Sequence, residues 1–256
     1  MNFKQLHQQS SPLLICNVWD VASAKSAEKL NFKAIGTSSA AIASMLGYKD
    51  GEQMTFEELL FVVKRIMACC ELPLTVDIEA GYSDDPIITS RYIKALAEIG
   101  VVGVNIEDSH VNEIRTLKNA NHFAGYLSDI KEQLATAQLD IFINVRTDAF
   151  LLGAEDALAE TQMRAKLYQV AGADGLFVPC ISQAEDILAV IKATELPVNV
   201  MCMPDLPDFS SLKKLGVKRI SMGNFIFGKL QGSLEAILNN IQQENSFNPV
   251  FSIKSL

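Results

Sequence analysis

Residues 88–109 read ITSRYIKALAEIGVVGVNIEDS. The first part places apolar residues at helical spacing, Gly100 suits a left-handed helix cap, and GVNIEDS turns to the alternation of a strand. The same joint, a helix ending in Gly or Asn and running into a strand, recurs as KLNFKAIG at 29–36, VAGADGLFV at 170–178 and KLGVKRISM at 214–222. Two other joints, ELPLTVD at 71–77 and ELPVNVM at 195–201, use Pro73 and Pro197 to stop a helix and enter extended chain.

Outward from that stretch the alternation covers the whole chain. Short β-rich runs lie at Leu13–Trp19, Ala34–Ser39, Leu74–Ala80, Gly103–Ser109, Ile141–Ala149, Gly175–Cys180, Val198–Met203 and Arg219–Gly223. Helical spacing separates them, as in TFEELLFVVKRIMACC at 55–70, LSDIKEQLATAQ at 127–138 and SQAEDILAVIKAT at 182–194. Trp19-Asp20 closes the first strand and caps the first helix. Eight strand–helix units in 256 residues predict an α/β fold, a (β/α)₈ TIM barrel spanning 1–256 as a single domain. Val111–Gly125 is the longest interval without clear structure.

Hydrophobic residues make up 49% and charged residues 20%, which is globular rather than disordered usage. The net charge of -8 leaves no cationic excess for phosphates, so nucleic acid is not an expected partner. The five cysteines form no CxxC pattern and cannot all pair, which fits a reducing cytoplasmic setting. No apolar run is long enough to cross a membrane, and none is expected as a partner.

In a barrel the chemistry sits at the C-terminal strand ends. Alternation in LTVDIEAGY places Asp77 and Glu79 on one face, GVNIEDS places Asn105 with Glu107, and INVRTDA aligns Asn144, Arg146 and Asp148. Inward acids without a partner are costly, and a hard divalent cation is the natural one. A structural ion-pair layer is the plainer alternative, although buried ion pairs contribute little net stability. His110 stands just past a rim strand as a candidate general acid or base, and Asn199 could reach a ligand from a late strand. His7 is assigned no role.

The stretch 17–52, then VDIEAGY, GVNIEDS and NVRTDA, resembles the isocitrate lyase and phosphoenolpyruvate mutase superfamily, over residues 14 to 230 and in the same order. The resemblance implies a barrel whose last helix is often exchanged between subunits, a homo-oligomer (dimer or tetramer), and a 2-oxo acid substrate held on Mg²⁺ (or Mn²⁺). It implies Asp77 as the acid nearest the metal, with Glu79 and Glu107 acting mostly through water. Asp50 would stand at the metal and substrate edge, Ser38 and Ser39 would hold the substrate carboxylate and carbonyl, and Arg146 would grip the developing charge. Three departures stand out: the cysteine of the lyases' loop has no counterpart in HVNEIRTLKNANHFAGYLSD, Gly36 replaces the mutases' aromatic residue, and Glu79 replaces the more usual aspartate. The expected activity is therefore carbon–carbon cleavage in a small 2-oxo or 2-hydroxy dicarboxylic acid through an enolate. C–P bond chemistry and a non-catalytic oxo-acid-binding barrel are the alternatives.

Overall fold

The computed structural model describes residues 2–111 and 114–251. Its strands, in chain order, are β1 (Leu13–Leu14), β2 (Cys16–Val18), β3 (Ile35–Thr37), β4 (Leu74–Asp77) and β5 (Gly103–Glu107). They continue as β6 (Ser109–His110), β7 (Thr116–Leu117), β8 (Phe142–Arg146), β9 (Gly175–Val178), β10 (Val198–Met201) and β11 (Arg219–Ser221). The helices are α1 (Phe3–Leu6), α2 (Val21–Lys29), α3 (Ser39–Leu46), α4 (Phe56–Met67), α5 (Pro86–Glu98) and α6 (Ala120–Thr136). After them come α7 (Ala157–Val170), α8 (Ala184–Ala193), α9 (Phe209–Leu215), α10 (Phe225–Glu244) and α11 (Asn248–Phe251).

Nine strands form one parallel sheet in the order β1-β11-β10-β9-β8-β5-β4-β3-β2. Only Ile15 separates β1 from β2, and its N–H donates to the Ile220 carbonyl at 2.8 Å. β1 and β2 are therefore one bent strand that pairs with β11 on one side and β3 on the other. This closes an eight-stranded α/β barrel, and each of the eight expected strands is present. Asp20 caps α2 as expected, its carboxylate accepting from the Ser23 N–H at 2.7 Å.

Outward-facing Val76, Val104, Ile106, Val145, Val178 and Val200 pack under the helices in one core. The α4 stripe of Phe56, Leu59, Val63 and Ile66 is buried against it, at about 1.5–3 kcal/mol for each large apolar side chain. Inward-facing residues form layers. At the floor, Phe3 and Leu6 of α1 pack on Leu13, Ile15 and Phe142, and His7 stacks on the Phe142 ring at 4.3 Å. Above them, Asn144 Nδ2 donates to Asn105 Oδ1 at 3.0 Å and to Asn199 Oδ1 at 3.1 Å. Gly175 makes room for this, since a Cβ there would lie 2.7 Å from Asn144 Oδ1. The next layer up carries Asp77, Glu107 and Arg146 at the strand ends.

One expectation needs correction. The interval 111–125 holds β7 and the start of α6; residues 112 and 113 lie outside the described residues. β6 and β7 pair antiparallel, and α6 starts at Ala120. Asn119 is the reason: its side-chain oxygen accepts from the N–H groups of Asn121 and His122, both at 3.1 Å, and Phe123 then begins the buried face. No helix among the described residues is long and apolar enough to cross a membrane.

Candidate active site

The C-terminal strand ends enclose a cavity of about 380 Å³. Ser38, Ser39, Asp50, Asp77, Arg146 and Arg115 stand in its wall, with Asn105 and Ser221 toward the barrel interior and Phe177 and Leu151 on an apolar side. Ser38 ends β3's extension and caps α3, its hydroxyl accepting from the Ala41 N–H at 3.3 Å. The N-terminus of α3 thus opens on the cavity with its backbone N–H groups, a favourable setting for an anion. Ser39 Oγ donates to Asp77 Oδ2 at 3.2 Å.

Burial pushes the Asp77 carboxyl above its ordinary value, and the nearby Arg146 charge only partly counters this. Burial and then the charges of Asp50, Asp77 and Glu107 push Glu79 up to about 8. For Arg146, burial alone would lower the pKa, but Glu107, Asp148 and Asp77 raise it overall, so the guanidinium stays charged. Arg146 Nη1 pairs with Glu107 Oε2 at 2.9 Å, and its Nε with Asp148 Oδ1 at 2.5 Å. Arg115 Nη1 takes the other oxygen of each carboxylate, contacting Glu107 Oε1 and lying 3.1 Å from Asp148 Oδ2. Ser109 also donates to Asp148.

The expected acids do not all converge. Asp77 and Asp50 reach the cavity. Glu79 turns away, because its backbone is left-handed (φ 50) just beyond β4 and strand alternation no longer applies. Its Oε2 accepts instead from the Glu52 N–H at 2.6 Å, tying down the loop that carries Asp50. Glu52 in turn accepts from the Tyr82 N–H at 2.6 Å, and all three residues are left-handed non-glycines (φ 50 to 57). Such strain clusters at functional sites. Glu107 is 1% exposed and engaged by both arginines. Asn199 lies beneath the cavity, donating to Ser221 Oγ at 3.1 Å, and His110 is exposed and absent from the cavity wall.

Sequence reasoning missed Arg115, which stands just before β7 and outside the barrel strands, where strand alternation gives no guide. It also missed Asp108. That buried carboxylate accepts from Arg164 Nη1 at 2.9 Å and the Tyr168 hydroxyl at 2.6 Å, while Arg164 Nη2 donates to the Lys118 carbonyl at 2.9 Å. This cluster pins the loop after β5 to α7. Gly36 faces Ile15 and Thr75, where a Cβ would sit 3.0 and 3.1 Å from their methyls, so no aromatic side chain fits there without displacing them.

A closed parallel barrel with acids and an arginine at its C-terminal rim has the architecture of a barrel enzyme whose site lies at the strand ends. The chain belongs to the phosphoenolpyruvate phosphomutase family, whose model matches residues 3–242. It is 33% identical over 224 residues to an uncharacterized protein of Mycobacterium tuberculosis (strain H37Rv), covering 88% of this chain and 82% of that one. It is 26% identical to the 2-methylisocitrate lyase of Escherichia coli (strain K12), over 95% of this chain and 84% of the relative. Among solved structures, one from Burkholderia cenocepacia J2315, provisionally described as a phosphonomutase, superposes with a TM-score of 0.87 at 36% identity. That match covers 93% of this chain and 97% of the other. Enzymes of this superfamily cleave C–C bonds or rearrange C–P bonds.

Proposed function

We propose that the protein is a Mg²⁺-dependent lyase that cleaves a C–C bond in a small 2-oxo or 2-hydroxy dicarboxylic acid through an enolate. The observation that carries this reading is the joint presence, around one cavity, of Asp77, Arg146 and the α3 N-terminus. Among the described residues no three His, Cys, Asp or Glu side chains form a closed metal cage. The donors still fit a hard cation, since Mg²⁺ keeps several waters and needs one or two direct carboxylates. Asp77 and Asp50 are carboxylates at the cavity wall, and Asp77 is short of compensating positive charge. Asp77 would hold the ion, with Asp50, Glu79 and Glu107 acting through water or through the loops they fix. When bound, the ion supplies Lewis-acid polarisation of the substrate's oxo oxygen.

The chain's own residues do the rest. The α3 N–H groups and the Ser38 and Ser39 hydroxyls orient the substrate carboxylate. Arg146, locked by Glu107 and Asp148, presents fixed positive charge where the enolate oxygen develops negative charge. Asp50, at the open side, is the candidate for moving a proton to the carbanion carbon, because His110 stands away from the cavity. Phe177 and Leu151 limit water access. The second reading keeps this site but acts on a C–P bond, and the phosphomutase description of the matching family favours it.

The test incubates the protein with Mg²⁺ and, separately, oxaloacetate, 2-methylisocitrate, dimethylmalate and phosphonopyruvate, following products by NMR. Carbon–carbon cleavage of one acid, abolished by EDTA, is the expected result. Turnover of phosphonopyruvate alone would establish the second reading instead. Isocitrate and methylisocitrate are expected to react negligibly, since the loop lacks the lyases' cysteine. Asp77→Asn is expected to raise the Mg²⁺ concentration needed for half-maximal activity by about tenfold or more. The same reading expects α10 to pack on a second copy of the chain.

A further inference from the structure

Among the described residues of the loop after β5, Arg115 alone stands in the cavity wall, and its side chain is 19% exposed. Among the described residues of that loop, His110 and Lys118 are not in the cavity wall. His110 is exposed, and Lys118 Nζ lies 5.8 and 5.6 Å from the ring centroids of Phe123 and Tyr126, with Asp84 at 3.7 Å. Arg115 shares two carboxylates with Arg146, so the four groups are neutral by count: two guanidiniums and two carboxylates. Both carboxylates also have an Arg146 contact of 2.9 Å or less, and Asp148 has Ser109 besides. If Arg115 turned toward a ligand, each carboxylate would keep its Arg146 contact, with one guanidinium then serving both. A guanidinium has five N–H donors, and Nη1 alone makes both contacts with Glu107 and Asp148. Nη2 is turned to Asp50, another wall residue, at 3.6 Å, too long for a hydrogen bond.

We propose that Arg115 is the specificity residue of this site, taking the second anionic group of the substrate while Asp77, the α3 N-terminus and Arg146 hold the 2-oxo carboxylate end. This rests on the oxo-acid reading and assigns the residue that meets the distal anion: a planar carboxylate, or a phosphonate, suits the paired donors of an arginine edge. The cavity, at about 380 Å³, is near the small end of ligand sites, of about 300–1,000 Å³, and suits acids of a few carbons with both ends held. A monocarboxylate would leave Arg115 on its acids and gain nothing from it.

Three ligands separate the possibilities by calorimetry at saturating Mg²⁺: oxalate, 2-oxobutyrate, and 3,3-difluorooxaloacetate, which carries the distal carboxylate that 2-oxobutyrate lacks. Wild type is expected to bind difluorooxaloacetate about 10- to 100-fold more tightly than 2-oxobutyrate, the range of one or two charge-assisted hydrogen bonds. Arg115→Gln is expected to erase that preference and leave oxalate affinity within about twofold, which also shows that the variant is folded. Arg115→Lys is expected to keep an intermediate preference. If Arg115→Gln keeps the full preference, or weakens oxalate as much as difluorooxaloacetate, Arg115 only braces Glu107 and Asp148 and the proposal falls while the oxo-acid reading stands. If oxalate fails to bind wild type at all, the oxo-acid reading falls and takes this role with it.

Discussion

His7 shows how much one side chain can do without touching the chemistry. It sits under the barrel floor, its Nδ1 against the Phe3 carbonyl at 3.1 Å and its ring stacked on Phe142. Burial first, and then the charge of Arg219, lowers its pKa from 6.5 to about 3. The unfolded chain binds a proton between those values that the folded chain refuses. The resulting stability is complete above pH 6.5 and is lost as pH falls toward 3, at up to about 1.4 kcal/mol per pH unit. His7→Phe is expected to flatten the acid limb of the denaturation midpoint between pH 6 and 4, and an unchanged slope would place the sensitivity elsewhere. Arg146 gives the corresponding test in the cavity. If it meets more negative charge in the transition state than in the ground state, Arg146→Ala should lower kcat by about 10²-fold or more. Arg146→Lys should restore only part, since a point charge cannot keep Glu107 and Asp148 both paired. A variant with wild-type kcat and a raised KM would show uniform binding instead.

At the scale of elements, the loop after β5 is held by a buried contact that can be broken selectively. Asp108 joins Arg164 and Tyr168 of α7, and the Lys118 N–H donates to the Asp108 carbonyl at 2.7 Å. Removing one partner leaves an uncompensated buried charge, so Arg164→Met is expected to destabilise the protein by about 3–5 kcal/mol in urea unfolding. A change below about 1 kcal/mol would mean that water replaces the guanidinium. The elements themselves differ in how far the sequence announces them. All eight barrel strands were legible, because alternation bounded by Gly or Pro joints is a local signal. The α3 helix was not: SAAIASML is apolar on every side and shows no stripe, and only Ser38 before it and Gly47 after it mark the ends. The start of α6 was hidden in a polar stretch whose one strong mark is Asn119. For the site, alternation and family likeness brought out Asp77, Arg146, Ser38, Ser39 and Asp50, which line one cavity. They misled at Glu79, where the backbone leaves the strand geometry, and could say nothing of Arg115, which lies outside the barrel strands.

For the molecule as a whole, the α10 helix meets the barrel at Phe227, whose ring packs edge-on against Trp19 at 5.1 Å. None of its twenty residues is buried, yet Ile226, Leu230, Leu234 and Leu238 recur every fourth position and are 48 to 54% exposed. An apolar stripe of that length needs a cover, and a second copy of the chain is the occupant our proposal assigns. Light scattering is expected to give a mass of two or four chains, and Leu234→Asp with Leu238→Asp to reduce it. A monomeric wild type would remove the proposal. The split first strand has a consequence of its own, for how the chain emerges from a ribosome. Residues 13–14 are made about two hundred residues before their partners at 219–220. Until then both margins of the growing sheet are open templates for any other extended chain. At a synthesis rate of about 5–20 residues per second, that window lasts about 10–40 seconds. Nascent chains stalled before residue 219 should therefore lean on chaperones and aggregate without them, whereas release of the complete barrel should end that dependence.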